Sequence, residues 1–299
     1  MAKRIFINNL NTYIGQALFN ELRNDTEDNE DPNLIFGTYI EKDSSEKPAG
    51  VKKMLKRSKP RLAMKYISEC DIIIYDLHAG NPKDIEMATT ALKKYNYETE
   101  KVLLLVSSVM MWKNTEPKLV EEKPESAEQP GEEEGEEGAA PDENPAEPAP
   151  AEEEKKAEGE GAEGEPAEGE EEEEAKPQPP EPVFKNVPYE EGDFAVRQPP
   201  PGFEDLLKIE NELLEFKKEN LKVYVVSAGV PYGNGETVFN EHFRSAWLQT
   251  PSALSYLDDG ENLVPSIHVV DLARFVKSVC EKKPEQQYLL AIDCAEDRR

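Results

Sequence analysis

Apolar residues along this chain gather in short unbroken runs divided by stretches of helical spacing. Arg4-Ile5-Phe6-Ile7 is followed by the polar Asn8-Asn9-Leu10-Asn11-Thr12 and then by Tyr13–Leu22, whose apolar positions recur every three or four residues. This predicts strand, turn and helix. Further runs at Leu34–Tyr39, Asp71–Asp76, Lys101–Ser108, Lys222–Ser227 and Tyr288–Asp293 read as strands, with a helix near Ile85–Leu92. Runs apolar on both faces and separated by helices are what a parallel sheet covered on two sides requires. The pattern predicts an α/β fold, a doubly wound parallel sheet with right-handed crossovers. Ligands of such sheets bind beyond the carboxyl ends of the strands, so Asn8–Thr12, Gly37–Tyr39, Asp76–His78, Ser107–Trp112 and Ser227–Gly233 are the segments to interrogate.

Charge changes the picture in one place. Of the 299 residues, positions 121–180 hold 24 Glu and one Asp against four Lys, a net of −21, with ten Pro and no Val, Ile, Leu, Met, Phe, Tyr, Trp or Cys. The chain as a whole carries −28, so the other 239 residues are close to neutral at −7. The sequence thus divides into 1–116, an insertion over 117–182 rich in Glu, Pro, Gly and Ala, and 183–299. With no large apolar side chain and with like charges throughout, the insertion cannot offset the entropy of ordering and is expected to be disordered. It reads as a low-complexity insertion in a surface loop; the alternative is an acidic surface for basic partners.

A pI near 4.5 without a basic stripe argues against nucleic acid as a partner. The chain has no apolar run of membrane-spanning length and no signal peptide, so the expectation is a soluble cytoplasmic protein without a membrane partner. Cys70, Cys280 and Cys294 lack metal-ligand spacing, and His78, His242 and His268 are isolated, so no metal site is expected. Phe243 and Trp247, four apart, read as one apolar helix face belonging to core or interface. Asp258-Asp259-Gly260 reads as a turn.

Three segments carry a resemblance. Val106-Ser107-Ser108-Val109-Met110-Met111-Trp112, Ser227-Ala228-Gly229-Val230-Pro231-Tyr232-Gly233 and Pro265-Ser266-Ile267-His268-Val269-Val270-Asp271-Leu272-Ala273 resemble, in that order, landmarks of the extended short-chain dehydrogenase/reductase superfamily. That superfamily includes nucleotide-sugar epimerases and dehydratases on a Rossmann-like fold. Phe6-Ile7-Asn8-Asn9, Val109-Met110-Met111-Trp112 and Phe243-Arg244-Ser245-Ala246-Trp247-Leu248 further resemble the amino-terminal, dehydrogenase-like domain of the isoform 7 family of ciliary adenylate kinases. This second resemblance implies a cilium or flagellum as the setting and axonemal proteins as partners.

The superfamily's chemistry maps poorly onto these residues. The resemblance implies NAD(P) as cofactor, held near Asn9, Thr12, Tyr13, Ile14, Gly15, Thr38, Asp76 and Leu77. Its phosphate turn has glycines where this chain has Asn9, Thr12 and Gly15, so one of three is present and cofactor binding is weakened. The remaining Gly15 has the position that serves helix–strand packing. Gly37-Thr38-Tyr39 lacks the carboxylate that would hold the ribose. The family's tyrosine, four residues before its lysine, falls on Glu204 when Lys208 and Glu212 are matched to the lysine and its following glutamate. Ser107 or Ser108 matches the catalytic serine, and His268 a bracing histidine. Glu204 beside Lys208 makes an ordinary ion pair and no proton donor at neutral pH. No Gly-x-x-x-x-Gly-Lys-Ser/Thr loop occurs, and no kinase domain is expected in these residues. The expectation is a degenerate, non-redox NAD(P)-binding-fold module that binds or docks. The alternative is an active NAD(P)-dependent epimerase or reductase.

Overall fold

The computed structural model describes residues 2–23, 31–40, 48–78, 81–121, 184–235, 238–250, 253 and 264–293. The disorder expected within 121–180, the turn at Asp258-Asp259-Gly260 and Cys294 lie outside that set, apart from Glu121.

In chain order the elements are β1 (Arg4–Ile7), α1 (Tyr13–Leu22), β2 (Leu34–Tyr39), β3 (Val51–Lys56), α2 (Pro60–Glu69), β4 (Ile72–Asp76), α3 (Pro82–Lys94), β5 (Lys101–Ser108), β6 (Lys118–Glu121), β7 (Phe184–Val187), α4 (Glu204–Leu214), β8 (Leu221–Ala228), β9 (Val230–Tyr232), α5 (Asn240–Leu248), β10 (Ser266–His268), α6 (Val269–Lys282) and β11 (Tyr288–Ala291). Two units are distinguished. One comprises Met1–Pro117 with Pro188–Arg299, the other Lys118–Val187. In the smaller unit β6 and β7 form an antiparallel ribbon in which Lys118 faces Val187 and Glu121 faces Phe184.

The larger unit is built on a seven-stranded sheet of order β11-β8-β5-β4-β1-β2-β3, every pair parallel. Strand side chains alternate between its faces because the side-chain period of a strand is two. Ile5, Ile7, Ile72, Ile74, Val102, Leu104, Tyr224 and Val226 point to the face covered by α1 and α6. Phe6, Ile73, Tyr75, Leu103, Leu105, Val223 and Val225 point to the face covered by α2, α3 and α4. The doubly wound parallel sheet read from the sequence is therefore the fold. Burial on both faces is what made the inner strands legible as continuous apolar runs. Among the described residues no helix is long and apolar enough to cross a membrane.

Besides the short strands β6, β7, β9 and β10, one strand of the main sheet and one helix covering it were not foreseen. β3 is an edge strand whose Lys52, Lys53 and Lys56 are exposed, leaving only Val51 and Leu55 buried, so it shows no apolar run. α2 buries just Ala63 and Ile67, and its sequence signal was Pro60 in the first turn, ahead of that i,i+4 pair. Cys70 and Cys280 are buried, and burial pushes each thiol up to about 12, so neither is a reactive thiolate at neutral pH.

Candidate functional site

The strand order reverses between β1 and β4, which opens the fold's ligand crevice at their carboxyl ends. Asn8 closes it. Its side-chain carbonyl accepts the Asp76 N–H at 2.7 Å and its amide donates to the Asp76 carbonyl at 3.2 Å, bridging the two strand ends. The Asp76 carboxylate is turned to His78, accepting its backbone N–H at 2.9 Å and lying 3.0 Å from its Nδ1.

The turn after β1 is fastened in the same manner. Asn9 adopts a left-handed backbone with φ 50°, as its glycine-like position requires. Its N–H donates to the Thr38 hydroxyl at 2.9 Å, so buried Thr38 serves the turn. Asn11 exchanges two hydrogen bonds of 2.9 Å with the backbone of Ile40. Thr12 is the N-cap of α1: its hydroxyl donates to the Asn9 carbonyl at 2.9 Å and accepts the Gly15 N–H at 3.2 Å. An N-cap oxygen of this kind satisfies the amide that a bound phosphate would otherwise attract. Gly15 sits so tightly against the turn after β1 that a Cβ there would fall 2.2 Å from the Asn9 carbonyl oxygen. Ile14 is buried in the core, and the Tyr13 hydroxyl donates to the Gly233 carbonyl. Leu77 is buried, with its N–H on the Val106 carbonyl.

These residues do not fit a pyrophosphate cradle of the family's kind. Thr12 stands where the family has a glycine, and its hydroxyl already holds the Gly15 amide.

The second region lies where β5 ends. Ser107 is fully buried and its hydroxyl donates to Glu210 Oε1 of α4. Glu210 Oε2 accepts from Arg197 Nε at 3.2 Å and Nη2 at 2.9 Å, and both charged side chains are within 1% of complete burial. Arg197 also donates to the Phe194 carbonyl and to Asn211 Oδ1, and its guanidinium lies 4.7 Å over the Tyr288 ring. The Tyr288 hydroxyl accepts from Trp112 Nε1 at 2.8 Å. Burial pushes the Glu210 carboxyl above the usual carboxylate range, against the pull of the Ser107 hydroxyl and the Arg197 guanidinium.

The residues matched to the family's catalytic pair are not brought to this cluster. Lys208 is exposed and lies 3.8 Å from Glu212, also exposed. Glu204 accepts the Gly202 N–H. Residues two apart on a helix differ by about 200° in direction, so with Glu210 turned inward Lys208 and Glu212 face away from Ser107. Ser108 accepts the Met110 N–H and caps the short helical turn Val109–Trp112. The Tyr189 hydroxyl donates to the Glu116 carbonyl. His268 caps α6 through Nδ1, 3.3 Å from the Val270 N–H, and packs edge-on to Tyr232, a fold-bracing placement. Arg197 and Glu210 were missed in the sequence, although Leu206, Ile209, Glu210 and Leu213 share the inward spacing i, i+3, i+4, i+7.

Over 232 residues the chain is 27% identical to mouse (Mus musculus) adenylate kinase 7, covering 75% of this chain and 28% of that protein. Over 89 residues it is 37% identical to adenylate kinase 7 of Macaca fascicularis, covering 29% of this chain and 17% of that one. The resemblance to adenylate kinase 7 holds. The chain spans less than a third of the length of these adenylate kinase 7 relatives. No family model matches. Similar solved structures include an NAD-dependent epimerase/dehydratase-like protein of Methylobacillus flagellatus, TM-score 0.52 at 13% identity, covering 98% of this chain and 77% of that one. MoeE5 in complex with UDP-glucose and NAD has TM-score 0.53 at 12% identity, again covering 98% and 77%. An epimerase-like protein of Burkholderia cenocepacia has TM-score 0.53 at 11% identity, covering 97% and 75%. At such identities the likeness establishes the epimerase-like fold and nothing finer.

Proposed function

We propose that this chain is an NAD(P)-binding-fold module without redox chemistry, acting by binding or docking within an adenylate-kinase-7-like protein of the cilium or flagellum. The observation that carries the reading is the commitment of the site's own groups. The hydroxyl matched to the catalytic serine is held by a buried glutamate, and the helix amide nearest the phosphate position is held by Thr12. A hydride-transfer site needs a proton donor within reach of the reacting oxygen, and Lys208 and Glu204 do not supply one beside Ser107. Phosphotransfer by such a protein would belong to residues other than these.

Titration of the purified chain with NADH and NADPH, followed by nucleotide fluorescence, tests the reading. Flat curves through the micromolar range are expected. Saturable micromolar binding that ADP-ribose displaces would overturn the reading of the glycine-poor turn, and oxidation of the bound NADH or NADPH by a carbonyl substrate would overturn the non-redox role.

α5 supports the docking half of the proposal. Phe243, Trp247 and Leu248 are exposed, with Trp247 at 88%, so the face read as core or interface is not core. Trp247→Ala is expected to leave the unfolding free energy, measured with urea, within about 0.5 kcal/mol of the parent, as for other surface sites. A loss above about 2 kcal/mol would return Trp247 to the core and remove α5 from the docking argument.

A further inference from the structure

Residues 189–199, between β7 and α4, bury almost nothing of their own. Arg197 is the one buried residue among them, and Val196 is 50% exposed. A segment that hides so little apolar surface lies at the low end of local stability. Its fastenings are polar. The Gln198 N–H donates to Thr115 Oγ1 at 2.9 Å, the Gln198 carbonyl accepts the Asn114 N–H at 3.0 Å, and the Tyr189 hydroxyl donates to the Glu116 carbonyl. Glu191 Oε1 accepts the Leu290 N–H at 2.8 Å.

Arg197 is seated as a ligand would be. Glu210 Oε2 and Asn211 Oδ1, both on α4, accept its Nη2 at 2.9 Å, and the Tyr288 ring lies 4.7 Å from the guanidinium. A carboxylate and an amide oxygen beside an aromatic face suit a guanidinium better than an ammonium. A cavity of about 870 Å³ adjoins this seat and shares Asn211 and Tyr288 with it. Its lining carries Glu190, Glu191, Glu215 and Glu285 and, among the described residues, no cation. A strap that served packing alone would turn apolar side chains inward. This one inserts a guanidinium next to open volume.

We infer that residues 189–199 are an autoinhibitory strap: Arg197 occupies a seat whose external ligand is an arginine of a partner's basic peptide, and the strap opens to admit it. The carboxylates of the cavity receive the cations flanking that arginine. Opening returns Arg197 and Glu210 to water together, so neither charge is left stranded. The inference deepens the docking reading proposed above and rests on it.

Hydrogen exchange and peptide titration of the full chain test it. Corrected for intrinsic rates, the amides of Asp193 and Gln198 should exchange at least about 30-fold faster than those of Leu104 and Val225, since the strap opens without the sheet. In a Trp247→Phe background Trp112 is the remaining tryptophan, and its fluorescence reports on the seat because its ring packs against Tyr189 and Tyr288. The probes are acetyl-Ala-Arg-Ala-amide and its lysine counterpart. The arginine peptide should bind saturably and at least about tenfold more tightly than the lysine peptide. The variant T115A/Y189A loosens the strap and leaves the seat intact. It should bind the arginine peptide about tenfold more tightly than the parent, because apparent affinity scales with the open fraction. Adding E210Q to that variant should abolish the preference for arginine. Strap amides that exchange at the rate of the sheet would overturn the inference, as would equal affinities for the two peptides or no gain in T115A/Y189A. Flat peptide curves beside flat NADH curves would remove the strap's role and leave the non-redox module standing.

Discussion

Replacing Arg197 by methionine is expected to lower the unfolding free energy by about 3–5 kcal/mol, the range for breaking a buried ion pair on one side. Arg197 and Glu210 are almost wholly enclosed, and the guanidinium supplies two hydrogen bonds to the carboxylate as well as its contact over Tyr288. Methionine fills similar volume but leaves Glu210 with Ser107 as its remaining partner in the cluster. The loss should also depend on pH, in a definite sense. Burial already raises the Glu210 carboxyl in the folded protein, and removing the cation raises it further. A folded-state pKa above the unfolded one means that the native state binds the proton more tightly. Stability is then fully present below the unfolded pKa and lost as pH rises through the folded value. The variant should therefore be less impaired near pH 5 than near pH 8. The double variant R197M/E210L should recover most of the deficit, because an apolar replacement of both partners removes the stranded charge. Urea unfolding at the two pH values measures all three statements. A deficit below about 1 kcal/mol at both would mean that the pair is solvated and that Ser107 is not locked.

That cluster also marks the boundary of what the sequence discloses. Strands such as Ile72–Asp76 and Lys101–Ser108 were legible because a sheet covered on both faces leaves no polar positions to interrupt them. β3 was hidden for the converse reason, since an edge strand needs only Val51 and Leu55 inside and carries lysines elsewhere. The turn was half legible. The departure from glycine at Asn9 and Thr12 could be read directly, but not that Thr12 caps the helix, nor that Asn8 and Asn11 lace the crevice to Asp76 and Ile40. Those bonds join positions 29 and 68 residues apart. The matching of Lys208 with Glu212 followed spacing along the chain and ignored which face of α4 is apolar. Taking Leu206, Ile209 and Leu213 as the inward stripe would have set Glu210 within the core and prompted a search for its cation.

Gly15→Ala is expected to destabilise the fold by about 1–3 kcal/mol, as overpacking at a rigid contact does. The added methyl carbon would stand 2.2 Å from the Asn9 carbonyl oxygen and 2.9 Å from Thr12 Oγ1. Neither neighbour can yield freely. The Asn9 carbonyl accepts both the Thr12 N–H at 3.0 Å and the Thr12 hydroxyl, and Thr12 in turn caps α1. Relief requires α1 to move away from the turn after β1, which loosens Ile14, Leu18, Phe19 and Leu22 in the core they share with α6. Gly192→Ala is the control, because nothing lies within 4 Å of its added carbon, and it should change stability by no more than about 0.5 kcal/mol. The comparison bears on function as well as on packing. In a dinucleotide fold the first two glycines admit the pyrophosphate and the third brings helix against strand. A large effect at Gly15 without bound nucleotide would show that this glycine is required by the scaffold itself, so its presence is no argument that a cofactor binds. Equal, negligible effects at Gly15 and Gly192 would mean that α1 stands off the turn and that packing does not require this glycine.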